Sequence, residues 1–263
     1  MFLGNLTDKQ YNEVEAVRNS DLGKIKKSIN HYLSTDKAEE KESFRIGRAF
    51  HCFLLEPAIF ELEAVIIPDS FDKRSNERKA QWQAWEDAKM LIVKQSELDN
   101  FKRMKESLLT HPKIRNILEN SSNEGAYTAT IEGVECKAKV DIFNKGFIFD
   151  LKTTEDASPE AMSKFITNWD TSRQLTFYED IVKANGIAVN GVGIIAVEKK
   201  APFNVGVYAI DNATLDHGRA GYKKILKKLA DYNASLSTDS PAYGGYSTEI
   251  EVLVAKPWYF YEN

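Results

Sequence analysis

Cysteine is scarce in this chain. There are two in 263 residues, Cys52 and Cys136, far apart. Two thiols exclude a four-cysteine zinc or iron–sulfur site, and both sit in apolar patterns that predict reduced, buried side chains. No stretch approaches the ~18 apolar residues of a membrane span. The N-terminus, MFLGNLTDKQYNEVEAV, lacks the basic start and long apolar run of a secretory signal. Both absences predict a cytoplasmic protein with no membrane partner. An excess of positive charge is missing too: 35 Lys and Arg face 39 Asp and Glu, a net charge of −4. That gives no support to a general polyanion binder, although a local basic surface coexists readily with an acidic total. Internal repeats and low-complexity runs are absent, and no linker divides the chain. One domain over 1–263 is expected, with a helical N-terminal part over 1–122 and a sheet-containing part over 123–263.

What is present alternates between two periods. Over residues 20–120 the spacing is helical. Ser20 is placed to cap DLGKIKKSINHYL, ESFRIGRAFHCFLLEP follows and stops at Pro57, and Trp82, Trp85, Ala88 and Ile92 share one face of a helix over 77–95. Further helices are expected over 97–109 and after Pro112. From residue 124 the period becomes two. GAYTATIEG and VECKAKVDIF alternate around a Glu132-Gly133 turn, and FIFDLKT forms a third strand. Helices over 159–168 and 172–185, strands GVGIIAVEK and FNVGVYAI turned by Lys200-Ala201-Pro202, and a helix over 212–234 complete an α/β pattern.

The hairpin KVDIFNKGFIFDLK carries the chemistry. Alternation puts Val134, Cys136, Ala138, Val140 and Ile142 on one face of the first strand and Lys139 and Asp141 on the other. On the second, Phe147, Phe149 and Leu151 oppose Ile148, Asp150 and Lys152. A two-residue loop at Asn144-Lys145 sets Asp150 across from Lys139 and diagonal to Asp141, with Cα atoms ~7–8 Å apart. A four-residue loop sets Asp141 directly opposite Asp150. In either register two carboxylates can share a divalent ion, and Lys152 points to the same side as Asp150. Phosphodiester hydrolysis needs a nucleophile and a means of neutralising charge on phosphate, which a hard cation held by carboxylates supplies. Lysine there can orient or help deprotonate the attacking water, or stabilise the transition state. Alternating Asp and Lys are by themselves an ordinary wet strand face. The argument for function is that Asp150 and Lys152 interrupt a very apolar strand, where charges need partners or a metal.

The pattern D-x8-D-x-K on a hairpin, followed by a helix bearing glutamine, resembles the PD-(D/E)XK nuclease superfamily, most of all its exonuclease VIII (RecE-type) branch. NSDLGKIKKS, IGRAFHCFLLEPAIF, CKAKVDIFNKGFIFDLKTTEDASPEAMSKFI and RQLTFYEDI carry the resemblance, with a family-like KPW at 256–258. It implies a restriction-endonuclease-like α/β core, with a mixed central sheet flanked by helices and a helical N-terminal region. Asp141 and Asp150 match the metal-binding acids, and Lys152 the catalytic lysine. His51 matches a helical metal ligand that is often Glu in other branches. The resemblance also offers the Leu151 carbonyl as a further ligand, and Gln174 and Tyr178 match a Q-x3-Y bordering the site. Ser20 matches a residue near a DNA phosphate, and neighbouring Lys24 could steer the duplex end. Val140 replaces the proline of the superfamily name, Asp150 stands for the more usual Glu, and Lys139 stands where Arg is expected to meet a phosphate.

The resemblance further implies a Mg2+-dependent exodeoxyribonuclease, with Mn2+ substituting, in a phage or prophage recombination setting within a bacterial host. It would digest linear duplex 5′→3′ to 3′ tails for a RecT-type annealing protein, as a ring-shaped homo-oligomer. Another PD-(D/E)XK nuclease, RecB-like or single-strand-specific, is the alternative within the superfamily. A non-catalytic DNA-binding or assembly protein with this fold is the alternative outside it.

Overall fold

The computed structural model describes residues 1–35 and 42–256; Pro257 and Trp258 of the KPW motif lie outside the described residues. Two tight turns set the centre of the sheet. Glu132 and Gly133, with φ of 50° and 76°, join β4 (Ser122–Ile131) to β5 (Val134–Asn144). Lys145 and Gly146, with φ of 48° and 85°, join β5 to β6 (Phe147–Thr154). Paired left-handed residues are the turn whose twist matches that of flanking antiparallel strands, and glycine at the second position makes it cheap. The second turn therefore sits one residue later than Asn144-Lys145, and Asn144 pairs with Phe147.

β7 (Gly191–Glu198) lies parallel to β6, and β8 (Val205–Ala209) returns antiparallel to β7. β1 (Phe2–Asn5) adds to the outer edge of β4, giving the order β1-β4-β5-β6-β7-β8. The sheet is thus mixed, mostly antiparallel, with one parallel step made by a helical crossover.

Helices cover both faces. On one side α2 (Asn19–Lys27), α10 (Thr171–Ala184) and α11 (Asn212–Ser235) pack Leu22, Ile25, Leu175, Phe177, Tyr222 and Leu226 against Cys136, Ala138, Val140 and Ile148. On the other, α4 (Glu42–Leu55), α7 (Gln95–Thr110) and α8 (Pro112–Glu119) pack Phe50, Phe101, Met104, Leu108 and Ile114 against Ile142, Leu151, Ile195 and Val197. Burying sheet residues on both faces is why β7 reads as one apolar run rather than an alternation. Gly218 lets α11 cross α10 closely, since a Cβ there would stand 2.5 Å from the Ser172 carbonyl carbon. That crossing holds the helix bearing Gln174. Both cysteines are buried and free, and burial raises each thiol to about 12, so neither is a reactive thiolate.

The N-terminal region departs from the helical expectation in four places. The helix expected from Ser20 onward begins at Asn19, where the Asp21 carboxylate accepts from the Arg18 N–H at 3.1 Å. It ends at Ser28, which caps α3 (Ile29–Leu33). Helix α6 (Asn76–Asp87) stops before Lys89, whose φ of 56° cannot continue a helix, so Ile92 belongs to a strand. That strand, β3 (Leu91–Lys94), pairs in parallel with β2 (Ala64–Ile67) in a second small sheet. Pro57 both closes α4 and opens α5 (Pro57–Glu63), where its missing N–H costs nothing. The remaining elements are α1 (Asp8–Glu13) and α9 (Pro159–Trp169). Among the described residues no helix is long and apolar enough to cross a membrane.

Candidate active site

β5 and β6 begin as partners and then part. Their ladder runs from Asn144 and Phe147 to Ile142 and Phe149, and stops there. Continued by one pair, the same register sets Asp141 opposite Asp150. This is the register of the longer-loop alternative, not the diagonal one. In place of a strand partner, the Leu151 N–H donates to Asp141 Oδ2 at 2.9 Å. A residue's N–H and C=O leave a strand on the same edge, so the Leu151 carbonyl also faces the gap. Further along β5 the vacated edge is filled by Val17, which bonds to Glu135 and Lys137 through its backbone.

The other neighbour of β5 contributes an acid that the motif did not include. β4 and β5 keep one register throughout, and the missing rung between Asn123–Ile142 and Gly125–Val140 is Glu124 opposite Asp141. Glu124 has a left-handed φ of 54°, unusual for a non-glycine residue inside a strand. Both strands change faces here. Val140 points into the core under α10, whereas Ile142 points into the core under α4, not beside Val140 as strict alternation expects. Strained backbone at a cluster of acids is the kind of outlier that accompanies function.

The kink brings Glu124 and Asp141 to His51 of α4. One ligand atom from each of the three lies within 4.8 Å of the other two. His51 Nδ1 stands 3.6 Å from Asp141 Oδ2. Asp150 lies outside this group of three. It is 2% exposed, takes the Gln174 Nε2 donor on Oδ1 at 2.8 Å, and has the Lys152 ammonium 2.7 Å from Oδ2. Oδ2 is fully buried with no donor in hydrogen-bonding geometry. Lys152 also reaches Gln174 Oε1 at 3.4 Å, and the Gln174 amide in turn reaches Tyr178 Oη at 3.4 Å. The residues present fit a divalent cation: three close ligands, with a buried carboxylate and a carbonyl beside them on one gap. His51, Glu124 and Asp141 would hold it, with Asp150 and the Leu151 carbonyl as further donors.

The electrostatics agree. These groups open on a cleft of about 810 Å3. Six carboxylates line it (Asp8, Glu56, Glu63, Glu124, Asp141 and Glu155) against Arg48, Lys139, Lys152 and Lys199. Without cations such a cleft repels phosphate. Burial and the neighbouring Asp141 push the Glu124 carboxyl up to about 8. Burial also raises Asp150, although the Lys152 ammonium opposes it. Lys152 loses charge preference to burial but gains more from Asp150 and Asp141, so it stays protonated, above the usual lysine value. The phenol of Tyr178 is held neutral, well above its ordinary range, chiefly by burial.

The positions expected to meet DNA fare differently. Lys139 is committed elsewhere: its ammonium lies 3.0 Å from Asp8, 3.1 Å from Glu124 and 3.2 Å from Glu56, and its side chain is 12% exposed. It neutralises carboxylates rather than presenting a charge to a phosphate. Ser20 and Lys24 are exposed on α2 and are not among the residues that line the cleft. Glu56 occupies the N-cap position of α5 and lines the cleft as a partner of Lys139.

Glu124 makes the metal-free fold pH-sensitive. The unfolded chain gives up this proton near 4.5 and the folded chain near 8. Stability without metal should therefore be fully present below 4.5 and decline as pH rises from 4.5 to 8, by a few kcal/mol at most (~1.4 per unit). Thermal melts in EDTA at pH 5 and pH 8 measure this. Glu124→Gln should flatten the dependence and Mg2+ should restore stability at pH 8. Identical slopes in wild type and Glu124→Gln would remove Glu124 as its source.

Residues 20–248 match the model of a family described as "PDDEXK-like domain of unknown function (DUF3799)". No curated protein matches the chain. Among solved structures, the chain superposes on a "putative exonuclease" from Eubacterium rectale with a TM-score of 0.60. The sequences are 14% identical, with 86% of this chain and 87% of that one covered. SSO0001 aligns over 85% of this chain and 88% of its own at 13% identity, but with a TM-score of 0.28 the likeness carries no weight.

Proposed function

The chain belongs to the PDDEXK-like DUF3799 family, and from that membership we propose that it is a Mg2+-dependent exodeoxyribonuclease. In this reading it degrades linear double-stranded DNA 5′→3′ and leaves 3′ single-stranded tails for recombination. The observation that carries it is the placement of Lys152, held by Asp150 and Gln174 on one wall of a gap whose other wall bears His51, Glu124 and Asp141.

A divalent ion bound there supplies neutralisation of the phosphate and a more acidic water. The chain's own residues do the rest. His51, Glu124 and Asp141 would hold the ion, and the Leu151 N–H fixes the Asp141 rotamer. Gln174 orients Asp150 and Lys152 together, so the ammonium faces the gap already paired. Lys152, held between Asp150 and Gln174, is placed to donate a hydrogen bond and charge to the attacking water or the phosphate oxygen. The RecE-type resemblance extends the reading to a ring-shaped homo-oligomer closed around DNA and to a RecT-type annealing partner. A ring would retain its substrate without a basic surface, in keeping with the net charge of −4.

Linear duplex labelled at either end tests the proposal. With Mg2+, signal from a 5′ label should be released first as mononucleotides, a 3′ label should stay on the surviving tails, and a supercoiled circle should survive. Cleavage of the circle would replace the exonuclease reading with an endonuclease one. Attack on single strands alone would favour the single-strand-specific alternative.

A further inference from the structure

Two large aromatic rings stand in solvent at the mouth of the same cleft. Phe44 is 54% exposed and Trp169 is 60% exposed, and both line the cleft. They come from different helices, α4 and α9, and meet edge to face with centroids 6.5 Å apart. Phe165, one turn before Trp169, lies 6.2 Å from it. Among the described residues, neither Phe44 nor Trp169 belongs to a hydrophobic core. The corner that carries Trp169 is braced. Asp170 takes a left-handed φ of 53° and pairs with Arg173 at 3.0 Å and Lys26 at 3.8 Å.

Their distance from the reacting centre is informative. Phe44 and His51 are seven residues apart on α4 and both line the cleft, as does Arg48 between them. Two helical turns are about 10 Å. A stacked strand advances ~3.4 Å per nucleotide, so the rings lie roughly three nucleotides from a phosphate held at His51.

We propose that Phe44, Phe165 and Trp169 form a stacking platform for unpaired nucleobases of the strand entering the cleft. The inference rests on the nuclease reading and adds the form of the substrate it takes. Paired bases show no free face except at a terminal pair, whereas every unpaired base has two, so a pair of exposed rings selects single-stranded polynucleotide over duplex interior. Stacking on aromatic side chains is indifferent to base identity. That suits an enzyme that must draw any sequence past a fixed phosphate site. Among the described residues the cleft sets four cations against six carboxylates, so stacking would add to the electrostatic hold on the strand.

The test compares two eight-residue DNA oligomers of equal charge, one with bases and one abasic throughout, binding in Ca2+ by fluorescence anisotropy. Wild type should prefer the base-bearing oligomer. Phe44→Leu and Trp169→Leu, which keep apolar bulk but lose the ring, should each reduce that preference roughly tenfold. The affinity for the abasic oligomer should hold. Quenching of indole emission on binding should vanish in Trp169→Leu. An unchanged preference in both variants, or a parallel fall for both oligomers, would overturn the platform and point to a protein-docking or packing role. Cleavage of the base-bearing oligomer and of linear duplex by wild type in Mg2+ is scored separately. Its absence would overturn the nuclease reading, whereas its presence with an unchanged preference would remove the platform alone.

Discussion

Asp141→Asn and Asp150→Asn should each abolish Mg2+-dependent DNA cleavage, by roughly a thousandfold or more, because each removes a charge from the group that would hold the ion. Their effects on stability should differ, and that difference tests the geometry. Asp141 faces Glu124 across the kink, so losing its charge relieves a repulsion, and Asp141→Asn should melt no lower than wild type in EDTA. Its protein should also lose the stabilisation that Mg2+ gives wild type at pH 8. Asp150 is the buried partner of Lys152, and Asp150→Asn sets an amide donor against an ammonium 2.7 Å away. Removing one member of a buried pair costs ~3–5 kcal/mol in the extreme, less here because the Lys152 side chain is 23% exposed. Melting curves with and without Mg2+, beside single-turnover cleavage, separate the two. Retained Mg2+-dependent cleavage in either folded variant would remove that acid from the site.

Much of this was legible in the sequence, and the failures have local causes. Up to the kink near Asp141, β4 and β5 follow a period of two, and the helices of the second half follow theirs, because each buries a regular stripe, whereas β7, buried on both faces, shows as one apolar run. The short strands β1, β2 and β3 are four residues each, too brief for a period to declare itself against flanking helices. The break after α6 turns on a left-handed lysine rather than a glycine, so no residue announces it. Of the two registers the sequence allows, the Asn144-Lys145 loop is off by one residue in the turn and two in the pairing because it makes Gly146 the first strand residue, although a glycine second in a two-residue turn is the stronger signal.

Glu124 shows how a missed residue was within reach. The Glu132-Gly133 turn was read correctly, and a two-residue turn there fixes the register of β4 on β5. Counting back from Ile131 opposite Val134 puts Glu124 opposite Asp141, so an acid beside the motif's first acid follows from the turn alone. The kink does not follow: alternation extends Val140's face to Ile142, and only the left-handed conformation of Glu124 and the parting of β5 from β6 redirect it. The commitment of Lys139 was likewise hidden, because its three partners come from β4 and from the helical segments that begin and end near residues 8 and 56.

Lys152→Ala is expected to lower the rate of the chemical step by ~10^2–10^4-fold while leaving the ion's ligands in place. The side chain sits between the Asp150 and Gln174 oxygens, not within the group of His51, Glu124 and Asp141. A Mg2+ titration followed by thermal stabilisation at pH 8 should therefore resemble that of wild type. Below that pH the curves should diverge. Without the ammonium, the largest influence opposing burial of the Asp150 carboxyl is lost, so Asp150 should retain its proton to higher pH and compete less well for the ion. Metal affinity in Lys152→Ala should thus fall more steeply with acid than in wild type, and the rate defect should persist at saturating Mg2+ and saturating DNA. The opposite pattern has a clear meaning. If DNA affinity collapses while single-turnover cleavage of saturating DNA is normal, Lys152 binds phosphate in the ground state and contributes nothing specific to the transition state.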